Sequence, residues 1–366
     1  MNKDICQQVF KGKRKPFSAW QIELTTRCPL KCRMCIRTGL GDWHGADMGI
    51  DDFKRLGLYF KDVEFVVLSG WGEPLLYKNL LDSIRLVKEG GAQAGFVTSG
   101  KGLNREYISE IINAGADFIG FSLAGATPDT HNYIRVNSDF KDLLNNIQAF
   151  NGIKKDRKLK SPNLHIVYLM LKDNISEVPL LIKLAKEIGI NTVILTNIIH
   201  VTNEWQENQR VFICNENKSQ GLKFLKEVEK KAKELKINLR MPSLSPVQVS
   251  VCSENPLSNL YISVDGNVSP CVYLYPPVSA PFKRIYCGFE HHLETLSFGN
   301  IFKESFHAVW ETRKYSEFRD CFTERKRNFE KIFFYFKDGE NIKRQTAELL
   351  SDAPEQCRIC HKMLGV

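Results

Sequence analysis

The stretch Trp20-Gln-Ile-Glu-Leu-Thr-Thr-Arg-Cys28-Pro-Leu-Lys-Cys32-Arg-Met-Cys35 carries the most information about the fold of this chain. Residues 20–26 are mainly apolar and strand-like. Three cysteines with the spacing C-x3-C-x2-C follow directly after them. The pattern predicts a metal-binding loop at the end of a β-strand.

Three thiolates at this spacing predict three ligands of a [4Fe–4S] cluster. Clusters that only transfer electrons are normally held by four cysteines. A three-cysteine loop therefore leaves one iron open to a further ligand, much as catalytic zinc keeps one open position. Two alternatives are a zinc knuckle, with His44 as the nearby candidate for a fourth ligand, and three unrelated buried thiols. The position of the loop at a strand end favours the cluster.

Strand-like and helix-like segments alternate from Trp20 to about His200. Strands are predicted at 21–26, 64–69, 94–98, 118–123, 165–171 and 193–197. Amphipathic helices are predicted between them, at 50–60, 80–89, 105–114, 139–150 and 178–188. Each crossover is long enough for a helix, so the pattern predicts repeated βαβ units and a parallel sheet.

This sheet can close in two ways, as an open doubly wound sheet or as a partial or complete barrel. Cys28, Glu73, Ser99 and Thr196 fall at or just beyond the carboxyl ends of predicted strands. Barrel enzymes carry their active sites at that end, and open sheets bind ligands there as well. The residue positions favour a barrel, while periodicity alone leaves both closures open.

A second motif, Ser69-Gly70-Trp71-Gly72-Glu73-Pro74, follows the apolar run at 66–68. Glycines let a backbone approach a ligand closely, and proline stiffens the exit of the turn. Glu73 then lies at the mouth of the sheet, where its carboxylate is suited to bind an ammonium group. The alternative is an ordinary turn with a solvent-facing glutamate.

The cysteine loop, followed about forty residues later by the Gly-Glu-Pro turn, resembles the radical S-adenosylmethionine (SAM) superfamily. The resemblance covers roughly residues 18–200 and implies a partial (β/α)6 TIM-like barrel. It also implies an enzyme whose cluster binds the amine and carboxylate of SAM, and whose 5′-deoxyadenosyl radical abstracts hydrogen from a substrate. In such an enzyme the cofactor carries the difficult chemistry, and the barrel supplies binding and exclusion of water.

The resemblance also implies roles for individual residues. These are cluster ligation by Cys28, Cys32 and Cys35, a contact with the SAM amine by Glu73 in the turn that includes Gly72, ribose binding by Ser122, and carboxylate binding by Arg135. A strand-end serine or a surface arginine would look the same without SAM. Two departures are visible, since Met34 replaces the usual aromatic residue and Trp71 stands where glycine is usual. The first is expected to loosen adenine packing, and neither removes a required ligand.

The chain beyond about residue 244 has short strands, more prolines and clustered cysteines. Cys252 and Cys271 flank residues 261–268, in which Asp265-Gly266 predicts a β-hairpin. Cys357-Arg-Ile-Cys360 adds a C-x2-C pair close to the last residue. Four thiolates from these segments would complete an auxiliary [4Fe–4S] cluster, and a four-cysteine zinc site fits the spacing nearly as well. Beside a barrel of this kind, iron–sulfur is favoured.

This region resembles the auxiliary-cluster domains called SPASM and twitch. The spacing from Cys252 through Gly266 to Cys271 is similar to the opening of a SPASM domain. Gly299-Asn-Ile301 and Val309-Trp310 resemble the segment that leads into its helix. Because a full SPASM domain continues with three more cysteines, a single auxiliary cluster of the twitch kind is expected.

Four cysteines lie outside both predicted clusters. Cys287 and Cys321 are predicted to be core thiols, with ligation of a second auxiliary cluster as the alternative. Cys214 follows the sixth strand and is predicted to be a small buried apolar side chain, or else a hydrogen-atom donor to a product radical. Cys6 carries little information. In a chain of cytosolic character, eleven cysteines indicate metal ligation and not disulfides.

The composition is that of an ordinary globular protein of 366 residues with a net charge of +9. Its basic runs indicate solvated faces, and no nucleic-acid-binding motif accompanies them, so no nucleic-acid partner is expected. Without a secretory signal or a membrane-length apolar run, a cytoplasmic location and no membrane contact are expected. We predict a basic arm at 1–17, the barrel at 18–243 and a small α+β auxiliary-cluster domain at 244–366.

The expected reaction is modification of a peptide or protein, or maturation of a cofactor, with electrons from a reductant such as ferredoxin or flavodoxin. One alternative is a dehydrogenase of a small molecule such as a sugar alcohol, in which the auxiliary cluster accepts the second electron. The other is a non-catalytic iron–sulfur electron carrier or scaffold. The N-terminal arm is too short for the peptide-binding module of about 80–100 residues, a domain-sized unit, that many peptide maturases carry. This weakens the first expectation unless a partner delivers the peptide.

Overall fold

The computed structural model describes residues 15–214, 220–335 and 350–366. Nearly all of the predicted basic arm, including Cys6, lies outside these residues. The strands are β1 (Phe17–Ile22), β2 (Val63–Val67), β3 (Gln93–Thr98), β4 (Phe118–Leu123), β5 (Asn163–Met170), β6 (Thr192–Asn197), β7 (Asn238–Arg240), β8 (Asn259–Ile262), β9 (Val268–Ser269), β10 (Phe282–Tyr286) and β11 (Phe289–Leu293).

The helices flank the sheet or belong to the C-terminal region. They are α1 (Ile50–Leu56), α2 (Leu80–Glu89), α3 (Arg105–Asn113), α4 (Pro128–Ile134), α5 (Phe140–Asp156), α6 (Val178–Glu187), α7 (Glu204–Asn208), α8 (Gln220–Glu234), α9 (Phe306–Trp310), α10 (Arg313–Tyr335) and α11 (Glu355–Arg358). No described helix is long and apolar enough to cross a membrane.

A nine-stranded sheet in the order β7-β6-β5-β4-β3-β2-β1-β8-β9 forms the core of the fold. Strands β1 to β7 are parallel to their neighbours. Because β7 and β9 end this strand order, the barrel that they belong to is partial. The predicted α/β class and partial barrel are therefore confirmed.

The flanking helices form where the sequence has a helical stripe of apolar residues. In α2, for example, Leu80, Ile84 and Val87 are buried at helical spacing. Capping side chains mark several starts, since Asn104 accepts from the backbone of α3 and Asp139 from that of α5. These helices cover the sheet and leave the carboxyl ends of the strands free for the loops that build the site.

The first strand lies earlier than predicted, at 17–22 instead of 21–26. Residues beyond Ile22 bond to other segments: the Glu23 N–H donates to the Ile262 carbonyl, and the Thr26 N–H donates to the Ala46 carbonyl. The predicted helix at 50–60 is also shorter, because α1 passes into a 3-10 turn at Gly57–Asp62. Periodicity located both elements but not their ends.

The C-terminal region extends the barrel sheet. β8 pairs in parallel with β1, with Trp20 opposite Leu260. β8 and β9 form the predicted hairpin, in which Gly266 has a φ of +83°. The domain boundary at 243/244 stays a prediction, since the sheet continues across it.

A second hairpin, β10–β11, is not anticipated by the sequence patterns. Its two-residue turn is Cys287-Gly288, and both residues have positive φ, 51° and 88°. Such turns usually signal themselves by Asn-Gly or Asp-Gly, which this chain lacks there. The Ile285 N–H donates to the Val201 carbonyl at 2.7 Å, which docks the hairpin on the segment after β6.

Candidate active site

A cavity of about 310 Å³ opens at the carboxyl ends of the barrel strands. Its lining includes every residue that the resemblance assigned to the SAM-binding part of the site: Cys28, Cys32, Cys35, Gly72, Glu73, Ser122 and Arg135. Ser99 and Thr196, the other strand-end residues, line the same cavity. Folding thus brings together side chains that are more than one hundred positions apart in the sequence.

The cysteine loop is held by hydrogen bonds to its backbone carbonyls. Arg37 Nη1 donates to the Cys28 carbonyl at 3.1 Å, and Thr38 Oγ1 donates to the Cys35 carbonyl at 2.7 Å. Gln206 in α7 is fully buried, and its Nε2 also donates to the Cys35 carbonyl, at 3.2 Å. Sequence reasoning missed Gln206, because no local pattern relates it to a loop 171 residues earlier.

In this loop Cys32 is buried, and Cys28 and Cys35 are partly buried. Burial raises the pKa of Cys28 and raises that of Cys35 to about 12, with neighbouring thiolates adding to the effect. Without a metal, Cys28 and Cys35 are therefore neutral thiols, and loading a cluster must release their protons.

The spacing of the sulfurs separates a cluster from a zinc knuckle. Tetrahedral Zn–S bonds of about 2.3 Å hold sulfurs only about 3.8 Å apart. In the described part of the chain, one group of three ligand atoms lies within 4.8 Å of one another. It belongs to Cys214, Cys287 and His361, and not to the cysteine loop. His44 is exposed and is absent from the cavity lining. The loop at Cys28–Cys35 therefore fits a larger iron–sulfur group better than a zinc ion.

Glu73 is held in the cavity by the end of β3. Its Oε1 accepts from Thr98 Oγ1 at 2.6 Å and from the Leu75 N–H at 3.3 Å. Its Oε2 accepts from the Ser99 N–H at 2.8 Å and from Ser99 Oγ at 2.7 Å. Only 3% of the residue is exposed. The alternative of a solvent-facing glutamate is therefore wrong.

The two glycines of the motif allow it to pack closely against residues 23–27. A Cβ at Gly72 would overlap the Thr25 carbonyl and lie 2.7 Å from the Arg27 carbonyl oxygen. A Cβ at Gly70 would lie 2.5 Å from Cγ of Glu23. The segment just after β1 occupies the space that a side chain at either glycine would need, while both glycines also line the cavity. Close approach of their backbone to a ligand stays a prediction.

Glu23 is a buried acid of the site that sequence reasoning missed. Its carboxylate accepts from the Trp71 N–H and from the Tyr261 hydroxyl, both at 2.7 Å. Burial raises its pKa to about 7. The residue joins the end of β1, the glycine motif and β8, and its only sequence signal is a charge within an otherwise strand-like stretch.

Arg135 lies at the C-terminal end of α4, beside the cysteine loop. Its Nη1 is 3.9 Å from Cys32 Sγ, and its Nε is buried without a hydrogen-bond partner among the described residues. It is therefore not a free surface arginine. Ser122 is half-buried near the end of β4 and faces the same cavity. Both positions allow contact with a cofactor that also touches the cysteine loop.

Aromatic side chains form the wall of the cavity on the side of the C-terminal region. The Trp71 ring lies 6.0 Å from His200 and 6.1 Å from Tyr273. Burial, followed by the charge of Arg284, lowers the pKa of His200 well below its ordinary value. The imidazole is thus neutral. Trp71, a departure from the usual motif, builds this wall, and Met34, the other departure, also lines the cavity.

The four cysteines of the C-terminal region lie together. Burial raises the pKa of Cys252 to about 12 and raises the pKa values of Cys271 and Cys357 well above the ordinary value. Lys362, two residues after Cys360, pairs with Glu254, and its Nζ lies 5.6 Å from the centroid of the Tyr273 ring. Because Glu254 follows Cys252 and Tyr273 follows Cys271, each by two residues, these contacts bring the cysteine-bearing segments together. Like the first loop, they include no three sulfurs within 4.8 Å of each other, as a zinc site would need.

This second cysteine group lies directly behind the cavity wall. Tyr273 follows Cys271 by two residues and lines the cavity. A partly buried ion pair between Lys362 and Glu254, at 2.7 Å, accompanies the cysteines. The structure therefore brings two potential cluster sites to opposite sides of one wall.

Two predictions about the remaining cysteines are wrong. Cys214 and Cys287 form a disulfide across 73 residues, so neither is a core thiol, and the expectation of metal ligation in place of disulfides does not hold for this pair. His361 lies beside them, and its Nδ1–H donates to the Ile199 carbonyl at 3.0 Å. Cys321 is partly exposed, and its thiol contacts the Asp352 carbonyl at 3.1 Å.

Comparisons with known proteins agree with this geometry. The sequence model of the radical SAM superfamily matches residues 22–185, and that of SPASM, an iron–sulfur cluster-binding domain, matches residues 252–332. The chain belongs to the radical SAM superfamily and carries a SPASM domain. It is thus a radical SAM enzyme, and its cofactors are SAM, the cluster that binds SAM and an auxiliary [4Fe–4S] cluster.

Relatives of this radical SAM enzyme differ in what they modify. A tungsten-containing aldehyde ferredoxin oxidoreductase cofactor-modifying protein of Pyrococcus furiosus is 24% identical over 303 residues, which cover 81% of this chain and 82% of that protein. A PqqA peptide cyclase of Rhodopseudomonas palustris is 34% identical over 107 residues, 29% of this chain and 28% of that one. Streptococcus suis SuiB bound to SAM has a TM-score of 0.62 and 14% identity, covering 84% of this chain and 68% of SuiB. The last similarity shows a shared fold.

Proposed function

We propose that Cys28, Cys32 and Cys35 hold the SAM-binding cluster and that the enzyme modifies a peptide or a cofactor precursor. When bound, the cluster supplies one electron that cleaves SAM to methionine and a 5′-deoxyadenosyl radical, which abstracts a hydrogen atom from the substrate. The observation that carries the proposal is the single cavity lined by these cysteines together with Glu73 and Arg135.

Glu73 is suited to bind the ammonium group of SAM without moving. Backbone N–H groups of Leu75 and Ser99 fix its two carboxylate oxygens in place. The other two donors are the hydroxyls of Thr98 and Ser99, which can rotate about their C–O bonds. Rotation of these hydroxyls frees one lone pair on each oxygen for the ammonium, so the carboxylate is already oriented before SAM arrives.

Arg135 complements this carboxylate from the other side of the cysteine loop. Its Nε–H is buried and has no partner in the described part of the chain, so it is available to a ligand. Leaving a buried donor unpaired costs about 1–3 kcal/mol. A carboxylate group of SAM would remove this cost through a charge-assisted hydrogen bond.

Apolar side chains protect a reactive intermediate in the rest of the cavity. The lining includes Val97, Val167, Leu169, Ile198 and Ile199 from the ends of β3, β5 and β6 and the segment after β6. Such a surface excludes water from the reacting atoms. Substrate is therefore expected to enter along the aromatic wall at Trp71 and Tyr273.

Cys252, Cys271, Cys357 and Cys360 are proposed to hold the auxiliary cluster. Four cysteine ligands leave no iron open, which suits electron transfer. Their position behind the wall at Tyr273 allows an electron to pass between substrate and auxiliary cluster. A small iron–sulfur or flavin protein such as ferredoxin or flavodoxin is proposed as the external reductant.

The proposed substrate class is supported by the relatives. The protein that matches most of this chain modifies a cofactor by its name, and the peptide cyclase matches a shorter stretch with higher identity. A dehydrogenase of small alcohols is retained as an outcome that the substrate experiment can reveal.

The cluster assignments are tested by anaerobic reconstitution of the full chain. About eight iron atoms per chain are expected, as two four-iron clusters require, together with dithionite-driven formation of 5′-deoxyadenosine. C32A should abolish cleavage. A C357A/C360A variant should lose about half of the iron and still cleave SAM, while the matched control C321A should keep all of it. Absence of 5′-deoxyadenosine from a fully loaded enzyme would refute the radical chemistry.

The substrate class is tested by hydrogen transfer. Candidate peptides, cofactor precursors and small alcohols, each deuterated at carbon, are incubated with loaded enzyme and SAM. Deuterium in 5′-deoxyadenosine from a peptide or a cofactor precursor supports the proposal. Transfer from small alcohols alone would replace it with the dehydrogenase.

A further inference from the structure

Arg284 is a deeply buried cation with unused hydrogen-bond donors. It lies on β10, and only 1% of the residue is exposed. Its Nη2 donates to the Tyr273 carbonyl at 2.6 Å. Its Nε and Nη1 are buried and have no partner among the described residues, and no described carboxylate forms an ion pair with it. A buried guanidinium in this state is unfavourable unless an anion lies beside it.

The neighbours of Arg284 show where that anion belongs. Arg284 lies in the hairpin whose Cys287 N–H donates to Nε2 of His361 at 3.4 Å, and His361 directly follows Cys360. Through Tyr273 it contacts the chain two residues after Cys271. Arg284 therefore lies between the cavity wall and the auxiliary cysteines, and it does not itself line the cavity.

A four-cysteine [4Fe–4S] cluster supplies the missing negative charge. Four thiolates around a core of charge +2 give a net charge of −2, which becomes −3 on one-electron reduction. A nearby cation stabilises the reduced state more than the oxidised state, because the added charge interacts with it as well. Hydrogen bonds to cluster sulfurs act in the same direction and are known determinants of cluster potential.

We propose that Arg284 is the counter-charge and hydrogen-bond donor of the auxiliary cluster and raises its reduction potential. The proposal rests on the proposed ligand set of Cys252, Cys271, Cys357 and Cys360. A higher potential makes the auxiliary cluster a better acceptor for an electron that leaves a substrate radical. The step moves one electron from the radical to the oxidised cluster. The heteroatom that forms the new bond to the radical carbon releases its proton to solvent or to a basic group.

Two other cations of this region, Lys362 and Arg325, are already engaged. Lys362 Nζ pairs with the Glu254 carboxylate at 2.7 Å and contacts Ser253 Oγ at 3.0 Å. The Arg325 guanidinium donates to the carbonyls of Ser250, at 3.2 Å, Val249, at 3.0 Å, and Ser351. Arg284, in contrast, keeps two N–H groups for the cluster.

The experiment is a redox titration of the reconstituted holoenzyme, followed by electron paramagnetic resonance. Added SAM perturbs the signal of the first cluster only, which identifies the auxiliary signal. R284Q is expected to lower the reduction potential of the auxiliary cluster by at least about 59 mV. For one electron this is a tenfold change in the electron-transfer equilibrium. R284K, which keeps the charge but loses the planar set of donors, should lower it by less. R157Q, on the far side of the barrel, should leave it unchanged.

An auxiliary potential in R284Q equal to that of the parent, with all iron retained, would overturn the proposal. A changed KM for substrate with an unchanged potential would do the same and would assign Arg284 to the substrate. If R284Q cannot hold the second cluster, the potential of the auxiliary cluster in R284K is the deciding measurement. A value identical to that of the parent would exclude the role of Arg284 as hydrogen-bond donor. Failure of the ligand set itself is distinguishable, since the parent would then hold only about four iron atoms.

Discussion

Replacing Glu23 by glutamine is expected to remove a pH dependence of stability that originates at the end of β1. The residue is 1% exposed, and its carboxylate accepts from the Trp71 N–H and the Tyr261 hydroxyl. Burial nevertheless outweighs these two bonds and raises its pKa from 4.5 to about 7. Ionised Glu23 is therefore less stable in the folded protein than in the unfolded chain.

The sign of the effect follows from proton binding. Between pH 4.5 and about 7, the folded protein holds a proton on Glu23 that the unfolded chain has released. Stability therefore falls as pH rises through this window, and the contribution is complete below 4.5 and lost above about 7. At about 1.36 kcal/mol per pH unit, the whole difference corresponds to about 3 kcal/mol, of which about 2.5 kcal/mol falls between about pH 5 and pH 8.

The assay is urea unfolding of parent and E23Q at several pH values from about 5 to 8. Glutamine has the size and hydrogen-bonding groups of a protonated glutamate but does not ionise. The unfolding free energy of E23Q relative to the parent should therefore increase by about 2–3 kcal/mol as pH rises across this range. E234Q, an exposed control on α8, should show the same pH dependence as the parent.

A difference between E23Q and parent that stays constant from about pH 5 to pH 8 would refute the reasoning. It would mean that hydrogen bonds from Trp71 and Tyr261 compensate burial and keep Glu23 ionised in the folded protein. Y261F provides a second check, because removing this donor should increase the loss of stability at high pH.

Two further predictions concern the glycine motif and the disulfide. G72A should lower the unfolding free energy by about 1–3 kcal/mol and reduce the iron content, because its Cβ would overlap the Thr25 carbonyl. G57A is the matched control, since its Cβ meets nothing within 4 Å. Equal thermal unfolding of the two variants would contradict the close approach of Gly72 to Thr25. Reduction of the Cys214–Cys287 bond, which closes a loop of 73 residues, should lower the unfolding free energy by up to about 4 kcal/mol. Peptide mapping without reductant should recover the linked peptides, and fully alkylated thiols in protein purified without reductant would refute the pairing.

Much of the barrel was predictable because its signals are local. A strand that runs into C-x3-C-x2-C, and the Gly-Glu-Pro turn after the next strand, are visible within short windows of sequence. Parallel strands present their carboxyl ends at one edge, so the location of Cys28, Glu73 and Thr196 at strand ends was enough to predict their meeting. The cavity at that edge confirms the meeting.

Other features of the site depend on contacts between distant segments. Glu23 bonds to Tyr261 across 238 residues, and Gln206 reaches the cysteine loop across 171 residues. Neither residue type is unusual in its own surroundings. The β10–β11 hairpin escaped prediction for a related reason, since Cys287-Gly288 lacks the common turn residues and is held by docking against Val201.

The sequence by itself determined the alternation of strands and helices, the two groups of cysteines that are proposed as cluster ligands, and the acid of the glycine turn. These are encoded by spacing along the chain, because periodicity and ligand spacing are short-range properties. Only the tertiary structure decided that β8 pairs with β1, that Cys214 bonds to Cys287, and that Arg284 is buried between the cavity and the auxiliary cysteines. Such contacts follow from how the complete barrel packs, and no short stretch of the chain carries that information.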